Sequence, residues 1–190
     1  MTIEPSALPY ISVCIANYNG ADMLRDCIDS VYAQRGNFRL EILVHDDAST
    51  DDSLLLLRSV YPSVWVIESP VNVGFCISNN RMVEAARGDY ILLLNNDAVL
   101  RQGSLEAMLG EACKAMHPVL LGLPQYTLHD GSLVDRGYEF DLFMNPIPVY
   151  GSGMRDVATA TGACLWIPRE IWDAVGGFPP WFESIAEDIY

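Results

Sequence analysis

Between Tyr10 and Leu100 the chain repeats one pattern: a short β-branched and aliphatic run, a polar break, then a longer stretch with apolar residues at helical spacing. "YISVCIANYNG" predicts a buried strand that ends in a turn at Asn17, Tyr18, Asn19 and Gly20. A helix capped by Asp22 follows, with Leu24, Cys27, Ile28, Val31 and Tyr32 on one face and Gly36 as its stop. "LEILVHDDAST" predicts a strand from Leu40 to His45, polar Asp46 and Asp47, and a helix begun through Ser49 or Thr50. "SVWVIESP" reads as a strand over Ser63 to Ile67, and Gly74 to Arg87 as a helix. "DYILLLNND" is a fourth strand, and Gly103 to Met116 the next helix.

Strands alternating with helices, several as continuous apolar runs, predict an α/β domain whose mostly parallel sheet is covered on both faces. In such sheets ligands bind outside the carboxyl ends of the strands. Asn17 to Asn19, Asp46 to Asp47 and Asn95 to Asp97 are therefore expected to converge on one crevice. After about Val119 the pattern shortens. Asp130 and Gly131 in "LHDGSLV" suit a hairpin, the Gly- and Pro-rich stretch from Pro146 to Gly153 reads as a mobile loop, and "VATATGACLWIP" as a strand. "REIWDAVGG" is a short helix closed by Gly176 or Gly177. The expectation is one domain over residues 1–190, with a nucleotide-binding half at about 10–118 and a mixed half at about 119–190.

Composition narrows the function. Hydrophobic residues make up 51% of 190, enough for one sizeable core. Eleven basic residues stand against 25 acidic ones, a formal charge of -14 without any cluster of Lys or Arg, which argues against nucleic acid. Cys14, Cys27, Cys76, Cys113 and Cys164 are odd in number and contain no C-x-x-C pair, the pattern of reduced core thiols. The first ten residues lack the basic start of a secretory signal, and no apolar run approaches the roughly 20 residues that span a bilayer. A cytoplasmic location is expected, with peripheral association at the inner membrane face compatible with it. His45, His117 and His129 lack ligand spacing and receive no role.

The turn after the first strand, "ANYNGAD", is neither the G-x-G-x-x-G of dinucleotide folds nor a P-loop. Taken in order, "ISVCIANYNG", "ILVHDDASTDDS", "NVGFCISNNR", "GDYILLLNND" and the late "ED" resemble the family 2 glycosyltransferases of GT-A fold, in the branch that includes many rhamnosyltransferases. The resemblance covers essentially the whole chain. It implies a Rossmann-like, mostly parallel sheet with a smaller acceptor-side half, an inverting mechanism and a nucleotide-diphosphate-sugar donor of UDP, dTDP or GDP type.

Carried over residue by residue, the first motif places Ala16, Asn17, Tyr18 and Asn19 against the donor's base and ribose, with Tyr18 able to stack. Asp47 matches the acceptor of a hydrogen bond from the base, and Asp46 the support of its loop. Gly74, Phe75, Asn79 and Asn80 match the helix beside the nucleotide, although Cys76, Ile77 and Met82 depart from its usual small residues. Asn95, Asn96 and Asp97 match the D-x-D motif that binds ribose and a divalent metal on the diphosphate. Mg2+ or Mn2+ suits one carboxylate completed by phosphate oxygens and water. Asp97 is the one anion there, so metal affinity without donor is expected to be low. Thr161 and Gly162, in "TGAC", match the strand beside donor sugar and acceptor, and Trp181 and Phe182 an apolar acceptor platform. Asp188 matches the general base, with Glu187 as helper. The family pattern continues beyond Tyr190, so the resemblance implies a chain incomplete at its C-terminus.

Each place also has a structural reading: turn residues at Tyr18 and Asn19, helix caps at Asp46 and Asp47, a polar turn at Asn95 to Asp97, a surface pair at Glu187 and Asp188. The leading function is transfer of a sugar from a nucleotide donor to a hydroxyl of a saccharide or lipid-linked acceptor, as in polysaccharide biosynthesis. A non-catalytic nucleotide-sugar-binding module is the alternative. A nucleotidyltransferase would need a Gly-rich loop with Arg and Lys after the first strand, which is absent.

Overall fold

The alternation Ile11, Val13, Ile15 against Cys14 sends side chains to both faces of the first strand, and all four are fully buried. That strand is therefore central. The computed structural model describes residues 8–182. The first part of the chain contains β1 (Tyr10–Asn17), α1 (Ala21–Tyr32), β2 (Arg39–Asp46), α2 (Ser53–Val60), β3 (Trp65–Glu68), α3 (Phe75–Ala85), β4 (Tyr90–Leu94) and α4 (Ser104–Lys114). Shorter elements follow: β5 (Leu121–Gly122), β6 (Gln125–Tyr126), β7 (Leu133–Asp135), β8 (Tyr138–Phe140), β9 (Pro146–Pro148), β10 (Cys164–Pro168) and α5 (Arg169–Val175).

The main sheet has the order β3-β2-β1-β4-β10-β5. Its first four strands are parallel, while β10 runs antiparallel to both β4 and β5. Register runs from Tyr10 opposite Arg39 to Asn17 opposite Asp46, so the polar ends of β1 and β2 emerge side by side. β10 begins where β4 ends, with Cys164 opposite Leu94 and the Asn95 N–H donating to the Ala163 carbonyl at 3.0 Å. One sheet edge thus collects the loops after β1, β2 and β4 together with the start of β10.

Two apolar layers hold these strands. On one face Leu24, Ile28, Leu57, Leu105 and Met108 pack with Ile11, Val13, Ile15 and Trp166. On the other, Met82 and Val83 of α3 meet Cys14, Leu43, Leu93 and Ile167. Each fully buried aliphatic side chain contributes about 1.5–3 kcal/mol relative to exposure, so the sheet is sealed from both sides. Of the three departures in the third motif, Cys76 and Met82 are fully buried and Ile77 is half-buried.

Four local expectations need correction. Asp22 does not cap α1: the Ala21 N–H donates to Asp51 Oδ2 at 2.9 Å, across from the β2–α2 loop. α2 starts at Ser53 rather than at Ser49 or Thr50, whose N–H groups are held by Asp46 Oδ1 at 3.0 Å and Asn19 Oδ1 at 2.7 Å. Pro146–Pro148 is not part of a free loop but pairs with β8, at a two-stranded edge where the missing proline donors cost little. "VATATGACLWIP" is strand only from Cys164, with Thr159 making an isolated bridge to Tyr138. The hairpin at Asp130 and Gly131 forms between β6 and β7, with Asp130 Oδ1 accepting from Ser132 N at 2.9 Å. Cys113 is exposed, unlike the four buried cysteines. Among the described residues no helix is long and apolar enough to cross a membrane.

Candidate functional site

Asn17 ends β1 and is 1% exposed. Its Nδ2 donates to Asp46 Oδ2 at 3.1 Å and Ser49 Oγ at 3.3 Å, while its Oδ1 accepts from Asn96 Nδ2 at 2.9 Å. One side chain therefore ties the ends of β1, β2 and β4 together. Asp46 completes the tie by accepting the Ser49 N–H, which is the supporting part assigned to it from sequence.

Asp47 is turned the other way. Its Oδ1 accepts from Val73 N at 2.8 Å and its Oδ2 from Gly74 N at 2.9 Å, which fixes the loop that leads into α3. Gly74 has φ 84°, a conformation that favours glycine. The carboxylate thus shapes the wall of a cavity and also faces it.

That cavity is about 830 Å³. Ala16, Asn17 and Tyr18 line it from β1, Asp47 from β2, Gly74 from the start of α3, and Asn95, Asn96 and Asp97 from the end of β4. Tyr18 stands on the rim at 53% exposure. Residues that sequence reasoning did not single out, Asn72, Val73 and Ser78, complete the α3 side. Their one sequence signal is proximity to Gly74. Pro180, Trp181 and Phe182 complete the lining.

Asn19, Asn80, Thr161 and Gly162 are not among the residues that line this cavity. Asn19, at φ 51°, joins two loops: its N–H donates to Ser49 Oγ at 2.9 Å and its Oδ1 takes the Thr50 N–H. The backbone N–H and side-chain oxygen of Asn19 are thus engaged within the protein. Asn80 donates from Nδ2 to the Phe178 carbonyl at 2.7 Å and accepts the Phe178 N–H at 2.9 Å, so it holds backbone rather than facing the cavity. Thr161 Oγ1 accepts from Gln125 Nε2. Glu187 and Asp188 lie outside the described residues.

The side chains of Asn95 and Asp97 make no hydrogen bond or ion pair with a described residue, and Asp97 is exposed. Among the described residues no Lys or Arg lines the 830 Å³ cavity, and the charged ones that do are Asp47 and Asp97. Beside the start of α3, a cation brought with it would favour an anionic ligand there. Among the described residues no group of three His, Cys, Asp or Glu could hold a metal ion. A single free carboxylate with neighbouring amide oxygens nevertheless suits Mg2+ or Mn2+, provided phosphate oxygens and water fill the remaining positions. The residues fit a metal carried with a diphosphate, not one bound alone. Nearby His45 is fully buried, and burial lowers its pKa below the ordinary imidazole value despite Asp47. Its Nε2 lies 3.3 Å from Arg81 Nη1, the place of a neutral acceptor.

A second cavity of about 550 Å³ shares Asn95 and Asp97 with the first. It opens between the loop after β4, strand β6 and the start of β10.

The family model for glycosyl transferase family 2 matches residues 12–175. A chondroitin synthase of Escherichia coli is 30% identical over 189 residues, covering 96% of this chain and 25% of that protein. A chondroitin synthase of Pasteurella multocida is 31% identical over 140 residues, covering 72% of this chain and 14% of that one. The chain thus spans a quarter or less of these relatives. Among solved structures, the mannosyltransferase PcManGT of Pyrobaculum calidifontis, in complex with GDP-Man and Mn2+, superposes with TM-score 0.70 at 19% identity, over 98% of this chain and 51% of that one. S. aureus TarS superposes with TM-score 0.71 at 18% identity, over 94% of this chain and 53% of that one.

Proposed function

Because the chain belongs to glycosyl transferase family 2, we propose that it transfers a sugar, with inversion, from a nucleoside-diphosphate-sugar to a hydroxyl of a saccharide or lipid-linked acceptor in polysaccharide biosynthesis. The observation that carries this reading is Asp97, with no hydrogen bond or ion pair to any described residue, on the wall of a cavity that no described Lys or Arg lines. Such a cavity suits a ligand that brings a diphosphate together with a cation. The complex of PcManGT with GDP-Man and Mn2+ supports the same pairing.

In this reading Tyr18 stacks on the base and Asp47 accepts a hydrogen bond from it. The amides of Asn95 and Asn96 contact ribose or phosphate. Asp97 would hold Mn2+ or Mg2+ together with the diphosphate, and the ion would supply positive charge to the leaving group. The acceptor oxygen forms its bond to the anomeric carbon as the bond to the diphosphate oxygen breaks and its electron pair leaves with the diphosphate. The acceptor's proton passes to the carboxylate of Asp188, with Glu187 beside it. Asp188 holds this role on the sequence resemblance.

Calorimetric titration with UDP, GDP and dTDP, with and without Mn2+, tests the donor site. One nucleotide should bind in a Mn2+-dependent manner, and Asp97→Ala should abolish that dependence. Unchanged titration of Asp97→Ala would remove the metal from this position. The competing reading, a nucleotide-sugar-binding module, is favoured by neutral Asn95. It predicts donor binding without transfer to any added acceptor.

A further inference from the structure

The second cavity differs from the first in charge. Arg101 is the one Lys or Arg lining either of them, and it faces only the second. In a chain with 25 acidic and 11 basic residues, a cation beside the reaction centre is a local exception.

Arg101 is also pre-positioned. Its carbonyl accepts from the Nε2 of buried Gln34 at 3.0 Å and from the Ser104 N–H at 3.1 Å, which fixes the turn after β4. Its guanidinium lies over the Tyr126 ring, 4.2 Å from the centroid. Stacking of this kind orients the guanidinium plane and leaves its edge N–H groups available. No carboxylate of the described residues forms an ion pair with Arg101. A stacked guanidinium without an internal counter-ion suits bidentate capture of a planar or tetrahedral anion. Leu123, Pro124 and Leu128 add apolar surface beside Tyr126, as a sugar's C–H face would require.

We propose that the second cavity is the acceptor subsite and that Arg101 receives a carboxylate or phosphate carried by an anionic saccharide. The assignment rests on the glycosyl-transfer reading. It places the acceptor on the side of Asp97 away from the nucleotide, so that the two cavities meet where the new bond forms.

The test is affinity titration of methyl glucuronoside, methyl glucoside and glycerol 3-phosphate, against the chain loaded with Mn2+ and whichever of UDP, GDP or dTDP binds. A charged probe should bind about tenfold more tightly than the glucoside, the scale of one hydrogen bond to an ion. Preference for glucuronoside over glycerol phosphate, or the reverse, identifies the anion as carboxylate or phosphate. Arg101→Gln should erase the preference while nucleotide affinity stays within about twofold, and Arg101→Lys should retain only part of it. Tyr126→Leu, which removes the stacking partner but keeps the charge, should weaken the preference without abolishing it. The proposal is overturned if charged and neutral probes bind alike, if none binds, or if Arg101→Gln leaves the preference intact. It is equally overturned if Arg101→Gln weakens the nucleotide, because Arg101 would then serve the donor. Failure of all three nucleotides would strike the glycosyl-transfer reading instead; anion capture by Arg101 would then stand if a charged probe bound the unloaded chain in an Arg101-dependent manner, and fall if it did not.

Discussion

Asn80 and Phe178, 98 residues apart, are joined twice: the amide donates to the Phe178 carbonyl at 2.7 Å and accepts the Phe178 N–H at 2.9 Å. The phenyl ring then lies 5.9 Å from Phe75 and edge-on to Trp172 at 5.4 Å. Gly177 permits the approach, since a Cβ there would lie 2.7 Å from Asn80 Oδ1. From this clasp the chain runs on to Pro180, Trp181 and Phe182, which form part of the wall of the larger cavity. Asn80 therefore positions that wall.

Asn80→Ala should cost about 2 kcal/mol, two hydrogen bonds at about 1 kcal/mol each. Asn80→Asp should cost at least as much, because a carboxylate keeps the N–H but repels the carbonyl. Thermal melts measure the loss. Hydrogen exchange should show faster exchange in residues 178–182, and unchanged exchange there would mean that the aromatic contacts hold the segment unaided.

Asp47→Asn should cost about 1–3 kcal/mol, since an amide can accept from only one of the Val73 and Gly74 N–H groups and turns its NH2 toward the other. Urea denaturation gives the stability change. Calorimetry should show weakened nucleotide binding, because the α3 side of the cavity is released, and full affinity would separate the loop from the donor site.

Gly20→Ala should disturb the site without unfolding the sheet. The new methyl would collide with Asn96 Nδ2 and Asn17 Oδ1, the two atoms whose hydrogen bond links β4 to β1. Nucleotide affinity is expected to fall about tenfold, the equivalent of about one hydrogen bond to a charged group. Retained affinity in a folded variant would show that Asn96 can move without consequence.

Glu41 makes the acid response of the sheet. Burial works to raise its pKa, but hydrogen bonds from Ser12, the Arg87 N–H and side chain, and Tyr10 outweigh it, so the net shift is downward. A depressed carboxylate stabilises the fold above its unfolded pKa and loses that contribution as pH falls through the folded value. Glu41→Gln should therefore destabilise the protein by about 2 kcal/mol at pH 7, and the gap from wild type should narrow below about pH 4. Denaturant melts across this range would show it, and a constant gap would contradict the role.

The core was legible because its signals are local. β1, β2 and β4 appear as apolar runs, and the residues at their ends, Asn17, Asp47 and Asn95 to Asp97, meet because a parallel sheet delivers every such end to one edge. The misreadings arise where distant groups compete for a local one. Asp22 lost the first turn of α1 to Asp51, and Ser49 and Thr50 were drawn out of α2 by Asp46 and Asn19. The clasp of Asn80 to Phe178 was hidden as well, because a contact across 98 residues leaves no trace within a few residues of either partner. Arg101 was silent for the same reason, since its stacking on Tyr126 exists only once β6 folds over the turn after β4.

β10 lies antiparallel between β4 and β5, and the stretch from 123 to 163 leaves the sheet beside β5 and returns into it. Its two ends are anchored on neighbouring strands, so its interior can lengthen, shorten or be replaced without altering the register of β1, β2 and β4. Inheritance can therefore act on this excursion as on a cassette. On the proposed assignment of the second cavity, exchanging it between relatives would change the acceptor side and leave β1, β2 and β4 in place.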